Sequence, residues 1–185
     1  MRKDLHEINR RAWNEATRAH NSHKADQARF LREGGSTLFP EELELLGAVR
    51  GKRLLHLQCN AGQDTLSLAR LGASVTGVDI SDEAIAFARR LSHESGIPAT
   101  FHCADLYDWL DDAVQRGETF DIVFSSYGFL VWLSDIHAWA RGIAAVLAPG
   151  GRFVMIEFHT VPDDARRSGA HDCSQLWRGA ALVVR

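Results

Sequence analysis

The chain has little cysteine, no long apolar run and no block of basic charge, and each shortage removes a class of protein. Three cysteines in 185 residues, Cys59, Cys103 and Cys173, are too few and too scattered for a disulfide framework. No stretch approaches the ~18 apolar residues needed to span a bilayer. The N-terminal MRKDLHEINRRAW is charged and lacks the apolar segment that opens a secretory leader. A formal net charge of −3 with no basic stripe argues against nucleic acid as a partner. Internal repeats and low-complexity tracts are also missing. What remains is 45% hydrophobic and 24% charged, the balance of one globular domain with a sizeable core. It is expected in the cytoplasm, with no membrane partner.

Between Leu54 and about His159 short apolar runs alternate with helical stretches, the rhythm of βαβ units in a parallel sheet. Strands are expected at 53–58, 74–79, 99–103, 120–125 and 152–158. The helix at 63–71 should stop at Gly72, and Ser81 should cap the next one, which ends near Gly96. Shorter helical stretches are expected at 106–114 and 134–147, the second ended by APGG. The first 50 residues read as helices broken at GGSTLFP, with a short helix at 40–49 begun by Pro40, Glu41 and Glu42. The last 25 residues show no period. The expected division is a helical segment at 1–50, an α/β domain at 51–160 and an irregular tail at 161–185.

An open parallel sheet binds its ligand beyond the carboxyl ends of its strands, where the connections reverse direction. Four strand ends here carry suggestive residues. Gln58-Cys59-Asn60-Ala61-Gly62-Gln63 forms a tight loop into a helix start, where Gly62 allows close backbone approach and free N–H groups favour an anion. Asp79, followed by Ile80, is placed to accept both hydroxyls of a ribose. Asp105 can take an exocyclic amine while Leu106 packs on the adenine ring. Ser125-Ser126-Tyr127 ends the fourth strand beside the ligand's other end.

These stations, carried by LLHLQCNAGQDTLSLARLGASVTGVDIS, CADLYDW, FDIVFSSYGFLVWL and LAPGGRFVMIEFH, resemble the class I S-adenosylmethionine-dependent methyltransferases over about residues 52–159. The segment Trp13, Asn14, Ala16 and His20 resembles the N-terminal element of a bacterial subgroup, and Glu157 with His159 its E-x-H element. The resemblance implies a Rossmann-like, doubly wound sheet of order 3-2-1-4-5 with an N-terminal helical extension. It also implies S-adenosylmethionine as cofactor, held by Gln58, Asn60, Gly62, Asp79, Ile80, Asp105, Leu106 and Ser125. Trp13, His20, Tyr127, Glu157 and His159 become lid or substrate candidates, and a small molecule the methyl acceptor. The sequence departs from the family in three ways. His56 stands at the usual acid position of strand one, Gln58 and Asn60 at usual glycine positions, and the customary C-terminal strand pair is shortened or missing.

Other readings stand beside these. Asp79 fits a turn, Asp105 an acidic helix start, Asp64 a first-turn dipole partner and His56 a satisfied core histidine. Cys59 and Cys103 read as small buried hydrophobes. His102-x-Cys and His171-x-Cys lack a second pair at zinc-site spacing. No catalytic residue is assigned, although Tyr127 and His159 are candidate bases. A nucleotide-dependent oxidoreductase is the enzyme rival, weakened by the missing G-x-G-x-x-G; an inactive cofactor-binding domain is the other. If nothing pairs with strand five, 152–158 is an apolar edge. LVVR looks too short to shield it, so poor solubility is the leading expectation, ahead of a homodimer through that edge or a tail folded back on it.

Overall fold

The computed structural model describes residues 2–22, 26–157 and 180–184. Helices α1 (Lys3–Ser22), α2 (Gln27–Arg32) and α3 (Pro40–Leu46) precede β1 (Arg53–Leu57), α4 (Gln63–Arg70), β2 (Ser74–Asp79), α5 (Asp82–Ser95) and β3 (Thr100–Cys103). Then come α6 (Leu106–Gln115), β4 (Phe120–Ser126), α7 (Ile136–Val146), β5 (Leu147–Glu157) and β6 (Ala180–Val184). The sheet runs β3-β2-β1-β4-β5-β6. Its first five strands are parallel neighbours, the order expected from the sequence.

Two-residue alternation explains why the central strands are apolar throughout. On one face Leu55, Leu57, Val123 and Phe153 pack with Trp109, Leu110, Trp139 and Ile143 of α6 and α7. On the other, Leu54, Ile122, Phe124 and Val154 pack with Leu46 and Leu68 of α3 and α4. Caps fix where the helices begin. Ser81 Oγ accepts from the Ala84 N–H at 3.1 Å, and Asp135 Oδ1 from Ala138 at 2.8 Å. The helix before APGG ends at Val146 as expected, but the strand assignment continues through that segment. The ladder steps from Phe120↔Leu147 to Ile122↔Arg152, so the chain bulges between them. A Cβ on Gly151 would sit 2.8 Å from the Ala148 carbonyl oxygen, so only glycine fits this bulge.

The tail corrects the sequence reading. β6 pairs antiparallel with β5 from Phe153↔Val184 to Glu157↔Ala180. One strand therefore covers the outer edge of 153–157, and β5 is not left open there for a second copy. Five extended residues span this stretch because a strand needs partners only along the length it covers.

Candidate functional site

β1 leads into α4 through a loop whose backbone is unusual. Gln58 and Asn60 have φ of 54° and 48°, the left-handed region that costs a non-glycine residue roughly 1–2 kcal/mol. Clamps on both sides hold them there. The Asn60 N–H donates to Asp79 Oδ2 at 2.8 Å, the Cys59 N–H to the Val78 carbonyl at 3.1 Å and Gln58 Nε2 to the Phe129 carbonyl at 3.2 Å. Gly62, at φ 76°, has a different task from the one its position suggested: a Cβ there would lie 2.7 Å from Ala88 and 2.9 Å from Phe101. It lets α4 start against α5 and is buried rather than facing the cavity.

Beyond the strand ends lies a cavity of about 210 Å3. Gln58, Asn60, Asp79, Ile80, Asp105 and Leu106 all line it. Asp79 is both turn residue and cavity wall. Its Oδ1 accepts from the Ser81 N–H at 2.9 Å, and the Ile80 N–H also bonds the carboxylate, which leaves lone pairs to spare among its four. Burial pushes its pKa up. Asp105 caps α6, taking the Tyr107 N–H at 3.0 Å on Oδ1. Its Oδ2 meets Lys3 Nζ at 2.9 Å and His6 Nδ1 at 2.5 Å. Burial works to raise the Asp105 pKa, but these hydrogen bonds outweigh it and leave the group below the ordinary carboxylate value.

The cavity roof is α1. His6, Asn9 and Trp13 line it, spaced three and four apart on one helix face. Trp13 meets Trp132 edge-on at 5.5 Å, Asn9 Nδ2 donates to the Trp132 carbonyl at 3.3 Å, and His6 stacks on Tyr107 at 5.2 Å. The far ring nitrogen of His6 reaches Ser134 Oγ at 2.6 Å. His20, expected to share the face of Trp13, instead lines a second cavity of about 370 Å3 on the other side of the Asn60 loop. The helical stripe that joins Trp13 to His20 runs backward to His6 and Asn9, and that extension was the signal for both.

The remaining candidates fall out unevenly. Ser125 is fully buried with an unpartnered Oγ, whereas Ser126 and Tyr127 line the cavity; the assigned serine is one residue off because successive strand residues face opposite sides. Tyr127 stands at φ 40° with its hydroxyl 3.4 Å from Glu41 Oε1. Burial, then Glu42 and Glu41, push its pKa up, which works against a base role. Glu157 accepts from the Gly128 N–H and, at 3.0 Å, from Leu130, so it shapes the loop carrying Phe129 on the cavity wall. His159 lies outside the described residues. His56 is half a core histidine. Nδ1 pairs with Thr65 Oγ1 at 2.9 Å, while buried Nε2 has no partner and the residue lines the cavity. Burial lowers its pKa to about 3, so it is neutral. Asp64, read as a dipole partner, sits in the first turn of α4 and also lines both cavities. Cys59 is buried as expected, but Cys103 is exposed, its Sγ 3.4 Å from Asp82 Oδ1. No cluster of three or more metal-ligating side chains occurs among the described residues.

Residues 54–151 match a protein family described as a methyltransferase domain. The chain is 32% identical over 128 residues to the ubiquinone biosynthesis O-methyltransferase of Xanthomonas axonopodis pv. citri (strain 306), covering 68% of this chain and 52% of that protein. It therefore spans about half the length of that relative. A solved structure concerned with conversion of a disulfide bond into a thioacetal group during echinomycin biosynthesis is 32% identical, with a TM-score of 0.53 over 63% of this chain and 48% of that one. The structure of DhpI in complex with SAH aligns with 100% of this chain and 81% of its own, at a TM-score of 0.60 and 21% identity, a likeness of fold.

Proposed function

The chain belongs to the class I S-adenosylmethionine-dependent methyltransferases, and from that premise we propose that the cavity under α1 binds S-adenosylmethionine for methyl transfer to a small-molecule acceptor. One observation carries this reading. Asn60, Asp79, Ile80, Asp105 and Leu106, drawn from three successive strand ends, line a single cavity at the sheet's switch point.

The residues present suit the group. Asp79 offers spare lone pairs to a ribose, and Ile80 and Leu106 offer apolar flanks to a flat base. The orphaned His56 Nε2 and Gln58 Oε1 await polar partners at the end facing the first loop. Asp105 is the weaker acid for direct contact, because Lys3 and His6 already occupy Oδ2; its work is to anchor α1 over the adenine end. The cofactor supplies a methyl group on a sulfonium, open to in-line displacement. The chain's own part is alignment and water exclusion, through the Asn60–Asp79 clamp beneath and the Trp13–Trp132 contact above. Residues 1–50 act as the cover and acceptor side, 51–160 as the cofactor domain. A cytoplasmic location belongs to the same proposal, carried by the free thiols of Cys59 and Cys103 and the redox logic of thiols.

Calorimetric titration with S-adenosylmethionine, S-adenosylhomocysteine, NAD and NADP tests the reading. Binding of the first two alone is expected. Binding of a dinucleotide in their place would move the chain to redox chemistry.

A further inference from the structure

Glu157, a substrate candidate from the sequence, ends β5 and grips a loop instead. The chain turns sharply after β4. Tyr127 and Gly128 have φ of 40° and 77°, and an aromatic residue in the left-handed region is an outlier that its surroundings must enforce. β5 does the enforcing. The Tyr127 N–H donates to the Ile156 carbonyl at 2.7 Å. The Glu157 carboxylate then accepts the Gly128 N–H on Oε1 and, at 3.0 Å, the Leu130 N–H on Oε2. Hydrogen bonds to a carboxylate are the stronger kind, so one side chain sets two peptide planes of the loop.

The peptide between Phe129 and Leu130 carries this grip to the cavity. A trans peptide is planar, with its N–H and C=O pointing opposite ways. Holding the Leu130 N–H on one side therefore aims the Phe129 carbonyl to the other. That carbonyl takes two donors, the Trp132 N–H and Gln58 Nε2, each at 3.2 Å. A carbonyl only accepts, so the amide nitrogen of Gln58 must face it and the amide oxygen must face away. Gln58 Oε1 is buried with no partner among the described residues, and Gln58 lines the cavity under α1. Its backbone is held at φ of 54°, so the amide is fixed from both ends.

We propose that Glu157 is a positioning residue, acting through the 129–130 peptide to hold Gln58 Oε1 toward the cavity as acceptor for an N–H donor on the bound molecule. The inference rests on the cofactor reading above and extends it to a residue that does not line the cavity. Under that reading Ile80 and Leu106 flank the base and Asp79 meets the ribose. The end near Gln58 then takes the amino group of the cofactor's amino-acid tail. The rival role for Glu157 is that of a staple between β5 and the loop. A loosened staple weakens every ligand alike; loss of a positioning residue weakens only a ligand whose donor meets Gln58.

The test uses the full chain and calorimetric titration with S-adenosylhomocysteine and with 5′-methylthioadenosine, which lacks the amino-acid tail. Glu157→Gln keeps the shape and replaces one acceptor by a donor. It should weaken S-adenosylhomocysteine binding about tenfold, the equivalent of ~1.4 kcal/mol, and leave methylthioadenosine within about twofold of wild type. Gln58→Leu should give the same pattern. The double variant should be no worse than either single one, because both remove the same contact. Should Glu157→Gln fail to fold, Glu157→Asp, a carboxylate too short to span both N–H groups, takes its place with the same expectation. Losses that add in the double variant would detach Glu157 from Gln58 and overturn the proposal. So would equal loss of both nucleosides, the mark of a staple, or unchanged affinity for S-adenosylhomocysteine. If wild-type protein binds neither nucleoside, the cofactor reading has failed instead, and that is seen before any variant is made.

Discussion

The sheet and the helix that roofs its ligand cavity are held by different forces. β1 and β4 bury Leu54, Leu55, Leu57, Ile122, Val123 and Phe124 completely, so the sheet is fixed by apolar contact on both faces. Among the described side chains of α1 only His6 and Thr17 are buried, and the helix is tied down by charge. Lys3 reaches Asp105 and Asp108, Arg10 reaches Asp82, and Arg18 reaches Glu83. These acids belong to the first turns of α5 and α6 or cap them, where the helix dipole already favours negative charge. Apolar burial gives a frame that does not yield. Exposed ion pairs give a cover whose hold depends on the medium. A ligand enclosed between the two needs both.

The largest expected effect tests the frame. Phe124→Ala removes a fully buried ring from the α3–α4 face of the sheet and should cost about 3–5 kcal/mol of global stability, read by urea denaturation. A loss below about 1 kcal/mol would mean that this face is loosely packed, and the contrast with α1 would collapse.

Glu42 is the exception that sharpens the contrast, a carboxyl buried where α3 meets the sheet. It is 1% exposed, with Oε2 accepting from the Phe39 N–H at 2.7 Å and Oε1 unpartnered. Burial raises its pKa to about 7 from an ordinary 4.5. The folded state therefore keeps a proton that the unfolded chain has released, so stability falls as pH rises between about 4.5 and 7 and stays reduced above. Glu42→Gln should remove that fall, gaining about 1–3 kcal/mol at pH 8 relative to pH 4. Thermal melts of both proteins across pH check it; parallel curves would show that the carboxyl is solvated.

Next comes Asp79. Its carboxylate holds the Asn60 and Ser81 N–H groups, so it is turn and site together. Asp79→Asn should raise the Kd for S-adenosylhomocysteine about 10- to 100-fold, or ~1.5–3 kcal/mol, and also lower the melting temperature of the free protein. Weakened stability with unchanged affinity would leave Asp79 a turn residue only.

The frame was more legible in the sequence than the cover. Alternating burial, Ser81 as a cap and the glycine after α4 are local signals, so most element ends could be read within a residue or two, the start of β5 and the end of α3 excepted, while strand order came from the family resemblance. The site residues that were missed depend on orientation. Ser126 rather than Ser125 faces the cavity because of strand phase. Gly62 serves contact with Ala88 and Phe101, which no local pattern reveals. His6 joins Asp105 across 99 residues, a meeting fixed only by how α1 lies. LVVR read as too short to shield strand five because its partner β5 is what makes so short a segment a strand.

The smallest expected effect is the one that addresses α1 alone. The ion pairs of Lys3, Arg10 and Arg18 are partly or fully exposed, so each is weak by itself and all are screened together. The Debye length falls from ~14 Å at 50 mM salt to ~4 Å at 500 mM. Raising sodium chloride across that range should raise the Kd for S-adenosylhomocysteine about threefold, a ~0.6 kcal/mol loosening of the cover, while the melting temperature of the sheet barely moves. The triple variant Lys3→Gln, Arg10→Gln, Arg18→Gln should start at the weaker affinity in low salt and lose the salt dependence. It keeps the Trp13–Trp132 contact and the His6 bridge from Asp105 to Ser134, so affinity should drop without vanishing. Calorimetry at the two salt concentrations decides the matter. Equal salt slopes in wild type and variant would mean that those ring contacts, not the charges, hold α1 down, and that cover and frame are one packed body.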